Sequence, residues 1–157
     1  MKKKAGAKKR PAPAAQAPTG KWLVKTEPSV YGWDRMVADR RTCWDGVRNH
    51  LARNHLAAMK AGDEALFYHA DEERSAVGLV RVVREAYPDP SADDPRWVMV
   101  DVEPVAGLAR PVPLATIKAD RSLAGIPLVR MARLSVMPLP AAAFERIVEL
   151  GGGRTGL

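Results

Sequence analysis

The side chains best equipped for chemistry lie in one stretch, CWDGVRNHLARNHLAAMKAGDEALFYHA, from Cys43 to Ala70. It combines an aromatic ring (Trp44), two Arg-Asn pairs (Arg48-Asn49 and Arg53-Asn54) and a closing Tyr68-His69. Rings offer flat apolar faces, amides both donate and accept, and guanidinium groups bind anions. That mixture suits a planar, hydrogen-bonding ligand on a negative tether, such as a base on a nucleic-acid strand.

Other chemistries find little support. His50 and His55 are five residues apart, so they do not share a helix face as i, i+4 metal ligands would. The chain contains no G-x-x-x-x-G-K-[ST], no G-x-G-x-x-G and no G-x-S-x-G. Asp89, Asp93 and Asp94 lack the alternation of a calcium loop and read as a solvated turn. Cys43 has no evident partner base and reads as a small buried residue. As the lone cysteine it cannot form an internal disulfide, which fits a reducing compartment. No cofactor is implied.

These residues need elements to position them. KWLVKTE alternates and stops at Pro28, predicting a first strand with Trp22 and Val24 on one side, Leu23 and Lys25 on the other. Pro28 and Gly32 turn the chain into a short helix near 33–39, with Trp33 as a core anchor. Gly46 permits a tight turn after Trp44. Leu51, His55, Leu56 and Met59 then recur at helical spacing, which places Arg48 and Asn49 at a helix entrance, where exposed N–H groups favour anions. GDEALFYHA predicts a turn and strand, AVGLVRVVREAY and WVMVDVEPV two more, and RLSVMPL a last one. Short helices are expected at 114–119 and after Pro140, where Ala141, Phe144, Ile147 and Val148 form an apolar stripe. Without repeats or regular βαβ alternation, the pattern favours a small mixed barrel of α+β class.

The chain has 157 residues, enough for one domain with a single core. No apolar run approaches the ~18 residues of a membrane span, so no membrane association is expected. The net charge of +7 is unevenly placed. Residues 1–20 hold six basic residues (Lys2, Lys3, Lys4, Lys8, Lys9 and Arg10) and no acid, and removing them leaves the rest at +1. This Ala/Pro-rich segment reads as a disordered basic arm. It serves either to attract nucleic acid, to act as a nuclear import signal, or simply to solubilise the chain. The folded domain is expected over 21–150 and a flexible tail over 151–157.

Five blocks carry a resemblance: KWLVKTEPSVYGWDRM, TCWDGVRNHLARNHLAAMKAGDEALFYHA, VGLVRVVREAYPDP, PRWVMVDV and LVRMARLSV. Together and in this order they closely resemble the EVE domain family, over roughly residues 21–148. The resemblance implies a PUA-like β-barrel flanked by short helices, related to the YTH and ASCH domains. It also implies a non-catalytic reader of modified bases in DNA or RNA, with cytosine derivatives such as 5-methyl- or 5-hydroxymethylcytosine favoured. Thr26, Ala70 and Met131 depart from the residues frequent in the family at those places.

The residues themselves suggest compatible roles. An extruded base needs a flat wall and edge hydrogen bonds. Trp44 is the first choice for the wall, with Trp22 a second; either ring also suits a core. Tyr68 and His69 would close the pocket, His69 being equally suited to a structural role. Asn49, Thr26 and backbone groups of Val24 and Lys25 would read the base edge, with a helix N-cap as the competing role for Asn49. Glu27 would accept from an exocyclic amine or pair with Lys25. Arg48, Arg53, Arg130 and Arg133 are assigned as a set to flanking phosphates. The expected partner is nucleic acid, bound by a monomer, cytoplasmic or nucleoid-associated in a bacterium and nuclear in a eukaryote. Two rivals stand beside this: an enzyme acting on nucleotides or nucleic-acid ends, and a protein-interaction module with a vestigial pocket.

Overall fold

The computed structural model describes residues 20–157; apart from Gly20, the basic arm lies outside the described residues. The elements run β1 (Lys21–Thr26), α1 (Trp33–Asp39), β2 (Thr42–Trp44), α2 (His50–Ala58), β3 (Glu64–His69), β4 (Ser75–Pro88), β5 (Val98–Pro113), α3 (Leu114–Ala119), α4 (Pro127–Arg130), β6 (Val136–Pro138), α5 (Ala141–Leu150) and β7 (Arg154–Thr155). The sheet order is β2-β5-β4-β3-β1-β6, with β7 added to β5. Among the described residues only β1 and β3 pair in parallel; every other pairing is antiparallel. Seven strands curl into a half-barrel with helices against it, the α+β, PUA-like arrangement expected from the sequence. Among the described residues no helix is long and apolar enough to cross a membrane.

The inner strands are buried on both faces. Trp22, Leu23 and Val24 are each at most 2% exposed, and Ala65 through His69 are all buried. Such strands lose the alternation of a one-sided sheet. The two long strands β4 and β5 pair with several register shifts, which bend and twist the sheet. Gly78 of β4 lies under Trp33: a Cβ there would sit 2.5 Å from the indole. The glycine thereby lets α1 lay its tryptophan across the strand, against Phe67 (5.1 Å between centroids).

Two expectations need correction here. Trp22 is not a pocket wall; its ring is sealed in the core and its Nε1–H donates to Asp63 at 3.0 Å. Nor is the C-terminal tail frayed throughout. Leu108 and Gly107 of β5 pair with Arg154 and Thr155, and the Arg154 guanidinium forks onto both oxygens of Glu64 at 3.0 Å. Lys21 holds the same carboxylate at 2.9 Å, so Glu64 ties the first and last strands together.

The Arg154 hydrogen bonds, aided by Lys21 and opposed by partial burial, hold the Glu64 carboxyl at about 2, against an ordinary 4.5. A depressed carboxylate contributes stability that is present above the unfolded value and lost as pH falls toward the folded one. Wild-type stability in urea should therefore decline between about pH 4.5 and 2, and Glu64→Gln should flatten that decline. Identical slopes for the two proteins would contradict this role.

Candidate nucleic-acid interface

β2 pairs with β5 for only three residues, Trp44 facing Val100. The chain then leaves the sheet through Gly46, whose φ of +75° suits glycine, and enters α2 at Asn49. Between this loop, the end of β1 and the following turn lies an open cavity of about 510 Å³. Lys25, Thr26, Val30 and Tyr31 form one side; Thr42 to Asn49 form the other, with Ser135 at the edge.

Trp44 borders the cavity with 8% of its surface exposed. Its ring stands nearly perpendicular to Phe67 (5.5 Å) and Tyr31 (6.5 Å), so two aromatic neighbours fix its plane. Core packing and pocket wall are thus combined in one side chain. Asn49 caps the helix and also borders the cavity. Its Oδ1 caps α2 by accepting the Ala52 N–H at 2.9 Å, while among the described residues its Nδ2 has no partner and the side chain lines the cavity. Thr26 donates its hydroxyl to the Tyr31 carbonyl (2.9 Å), keeping its oxygen lone pairs for a ligand.

Several sequence assignments fall elsewhere. Val24 is enclosed in the core and does not line the cavity, and the backbone N–H of Lys25 is taken by the Ser135 carbonyl at 2.9 Å. Lys25 instead presents its side chain, whose Nζ donates to the Ala132 carbonyl; burial lowers its pKa. Glu27 is exposed off the cavity, and its carbonyl closes the 27–31 turn. Tyr68 is buried beneath Lys25. His69 is a tether: its Nε2 accepts the Trp33 N–H (3.0 Å), so Nδ1–H donates to Glu73 (2.8 Å). It positions α1 and does not line the cavity. Tyr31, Asp45 and Ser135 were missed. Asp45 was detectable beside Gly46 in the same turn, whereas Ser135 gives no local signal.

The arginines divide into two groups. Arg48 lines the cavity and is held by Asp89 (3.3 Å) and Ser91 (2.9 Å). Its guanidinium and that of Arg53 lie 5.9 and 5.3 Å from the Trp97 ring, and Arg53 Nη1 is buried without a partner. Arg130 and Arg133 are exposed along a second groove of about 450 Å³ that shares Asn49 with the cavity. The structure therefore brings Arg48, Arg130 and Arg133 to the cavity and its adjoining groove.

Asp89, read from the sequence as part of a solvated turn, is 2% exposed. Oδ2 accepts from Gly46 N–H (2.8 Å) and Arg48; Oδ1 accepts from Ser91 N–H (2.8 Å) and its hydroxyl (2.6 Å). Burial alone would raise its pKa, but the donors from Ser91, Gly46 and Arg48 overcome this and bring it to about 2. Cys43 is likewise corrected: it is exposed and borders the cavity. Partial desolvation of its sulfur and the negative charge of nearby Asp45 raise the thiol pKa, which keeps the weakly nucleophilic protonated form at neutral pH. Among the described residues no group of three or more His, Cys, Asp or Glu is placed to hold a metal ion.

Asp89→Asn turns an amide N–H₂ toward two donors whichever way it flips, so it should cost about 1–3 kcal/mol in urea denaturation at pH 7. Unchanged stability would contradict the role given to Asp89. Maleimide labelling of the single cysteine should be slower at neutral pH than for a free thiol peptide and accelerate on alkalinisation; a rate matching the peptide at pH 7 would contradict the raised pKa.

Comparison with known proteins places this geometry. A family model described as "EVE domain" matches residues 20–150. Human thymocyte nuclear protein 1 is 38% identical over 163 residues, covering 82% of this chain and 72% of that protein. The crystal structure of the human protein in complex with 5-methylcytosine-containing DNA superposes with a TM-score of 0.76, at 37% identity, covering 83% of this chain and 96% of that one. Rpa0253 from Rhodopseudomonas palustris gives 0.80 at 43% identity, covering 84% and 92%. An ASCH protein of Zymomonas mobilis, 9% identical with a TM-score of 0.53 over 87% and 97%, shares the fold alone. With most of its length matched by the family model and by relatives of this identity, the chain belongs to the EVE domain family.

Proposed function

We propose that this protein binds nucleic acid carrying a modified base, a cytosine derivative such as 5-methyl- or 5-hydroxymethylcytosine, by accepting the extruded base in the cavity beside Trp44. The observation that carries the reading is the cavity itself. At about 510 Å³ it falls in the size range of small-ligand sites, roughly 300–1,000 Å³, and it joins apolar walls to a few convergent polar groups. That a relative 37% identical was crystallised with 5-methylcytosine-containing DNA supports the ligand class.

The lining matches the chemistry of such a base. Trp44 and Tyr31 supply aromatic surface, and Val30 and Val47 supply apolar contact for a methyl group. The free Asn49 Nδ2 donates to the carbonyl or ring nitrogen of cytosine. Asp45 is suited to accept from the exocyclic amine, the part first assigned to Glu27, while Thr26 and Ser135 offer hydroxyls. Arg48, Arg130 and Arg133 take flanking phosphates, and the basic arm adds attraction without sequence preference. The reading is of a binding module rather than an enzyme. Cys43 is held as the thiol and His69 has both ring nitrogens engaged, so neither is poised for nucleophilic or base catalysis.

Asn49 gives the cleanest test, because cap and donor can be separated. Asn49→Ser keeps an N-cap but removes the amide; Asn49→Ala removes both and should also lose about 0.5–2 kcal/mol of stability. Titrated by fluorescence anisotropy against oligonucleotides with unmodified, methylated or hydroxymethylated cytosine, wild type should prefer a modified form. Asn49→Ser should melt like wild type yet bind about 1–3 kcal/mol more weakly to that form. Undiminished preference in Asn49→Ser would contradict edge reading at this residue.

A further inference from the structure

Large exposed apolar side chains are few among the described residues: Val30, Leu51, Met131 and Leu157. Three of the four rim the same site. Val30, 67% exposed, lines the cavity mouth. Leu51 and Met131, 39% and 44% exposed, line the groove that shares Asn49 with the cavity. That groove carries Arg130 and Arg133 and no acidic residue. No Trp, Tyr or Phe is among these exposed side chains.

The Met131 turn is rigidly fixed to the cavity. The Met131 N–H donates to the Pro127 carbonyl at 2.7 Å and its carbonyl accepts the Leu134 N–H at 3.0 Å. Lys25, which lines the cavity, bonds the neighbouring Ala132 carbonyl at 2.9 Å and the Ser135 carbonyl through its own N–H. Leu51 stands in the first turn of α2, two residues after Asn49. Two solvated aliphatic side chains are thus held beside the site on a positively charged surface.

Single-strand binders stack successive bases on exposed aromatic rings, and no aromatic side chain lines the groove that carries Leu51, Met131, Arg130 and Arg133. Extruding a base from a duplex instead leaves an unstacked slot, which proteins that distort duplexes fill with aliphatic wedges such as Leu and Met. Resting on the pocket reading above, we propose that the substrate is double-stranded DNA. Met131, backed by Leu51, enters the slot vacated by the modified base, while Arg130 and Arg133 hold the phosphates beside it.

The test uses the full chain and three 5-methylcytosine oligonucleotides of one sequence: paired DNA duplex, single-stranded DNA and single-stranded RNA. Wild type should bind the duplex most tightly. The Leu51→Ser/Met131→Ser double variant alters exposed positions and should melt like wild type, yet lose about tenfold or more in duplex affinity with little change on single strands. A duplex with the methylated base already unpaired in a one-base bulge should show a smaller loss. Retained preference for the modified base with wild-type duplex affinity in the double variant would overturn the wedge alone, as would tighter binding to either single strand. Absence of any preference for the modified base in wild type would overturn the pocket reading, and the wedge with it.

Discussion

A single buried carboxylate holds the site in shape. Asp89 receives four donors from two loops: Gly46 N–H and Arg48 from the loop between β2 and α2, and Ser91 twice from the loop between β4 and β5. Three-residue pairing to β5 is a weak anchor for the Trp44–Asn49 segment, so this polar clasp sets where the cavity wall stands. A buried charge left without partners is strongly destabilising, and full satisfaction is what makes the arrangement tolerable. The same clasp holds Arg48, which lines the cavity with its side chain still 41% exposed.

Around that clasp, most polar groups near the cavity already serve the fold, and function depends on what they have left over. Asn49 spends Oδ1 on the helix cap and retains Nδ2. Thr26 donates its proton to Tyr31 and retains its lone pairs. Trp44 gives its ring to Phe67 and Tyr31 and keeps a narrow exposed margin on the cavity. His69, by contrast, has nothing left: both ring nitrogens are committed to holding α1 and the 70–75 turn. A rigid, largely preformed pocket follows, which lowers the ordering entropy lost on binding.

Much of this was legible in the sequence, for identifiable reasons. α2 declared itself through Leu51, His55, Leu56 and Met59, and α3 began where Pro113 predicted. Trp44 and Asn49 stood out because the turn at Gly46 put a ring, an amide and a guanidinium within six residues, and both line the cavity. β2 was not visible, since three residues contain no periodicity. Trp22 misled because β1 is covered on both faces, so its alternation says nothing about which side meets solvent. Asp89 was misread because PDPSADDP has the composition of a solvated loop, and its Gly46 partner lies 43 residues away. Ser135 and Tyr31 likewise join the cavity only through tertiary contacts. The tail looked frayed because GGGRTGL is glycine-rich, yet those glycines let the chain reverse so that Arg154 reaches Glu64.

The central claim is that the space beside Trp44 receives one modified nucleobase turned out of its stack. A crystal structure of this chain bound to a duplex containing a single 5-methylcytosine addresses it most directly. The account predicts that base inside the cavity, with its edge within hydrogen-bonding distance of Asn49 Nδ2 and its methyl group against Val30 or Val47. A complex in which the methylated base remains stacked in the helix and the cavity holds only solvent would contradict it.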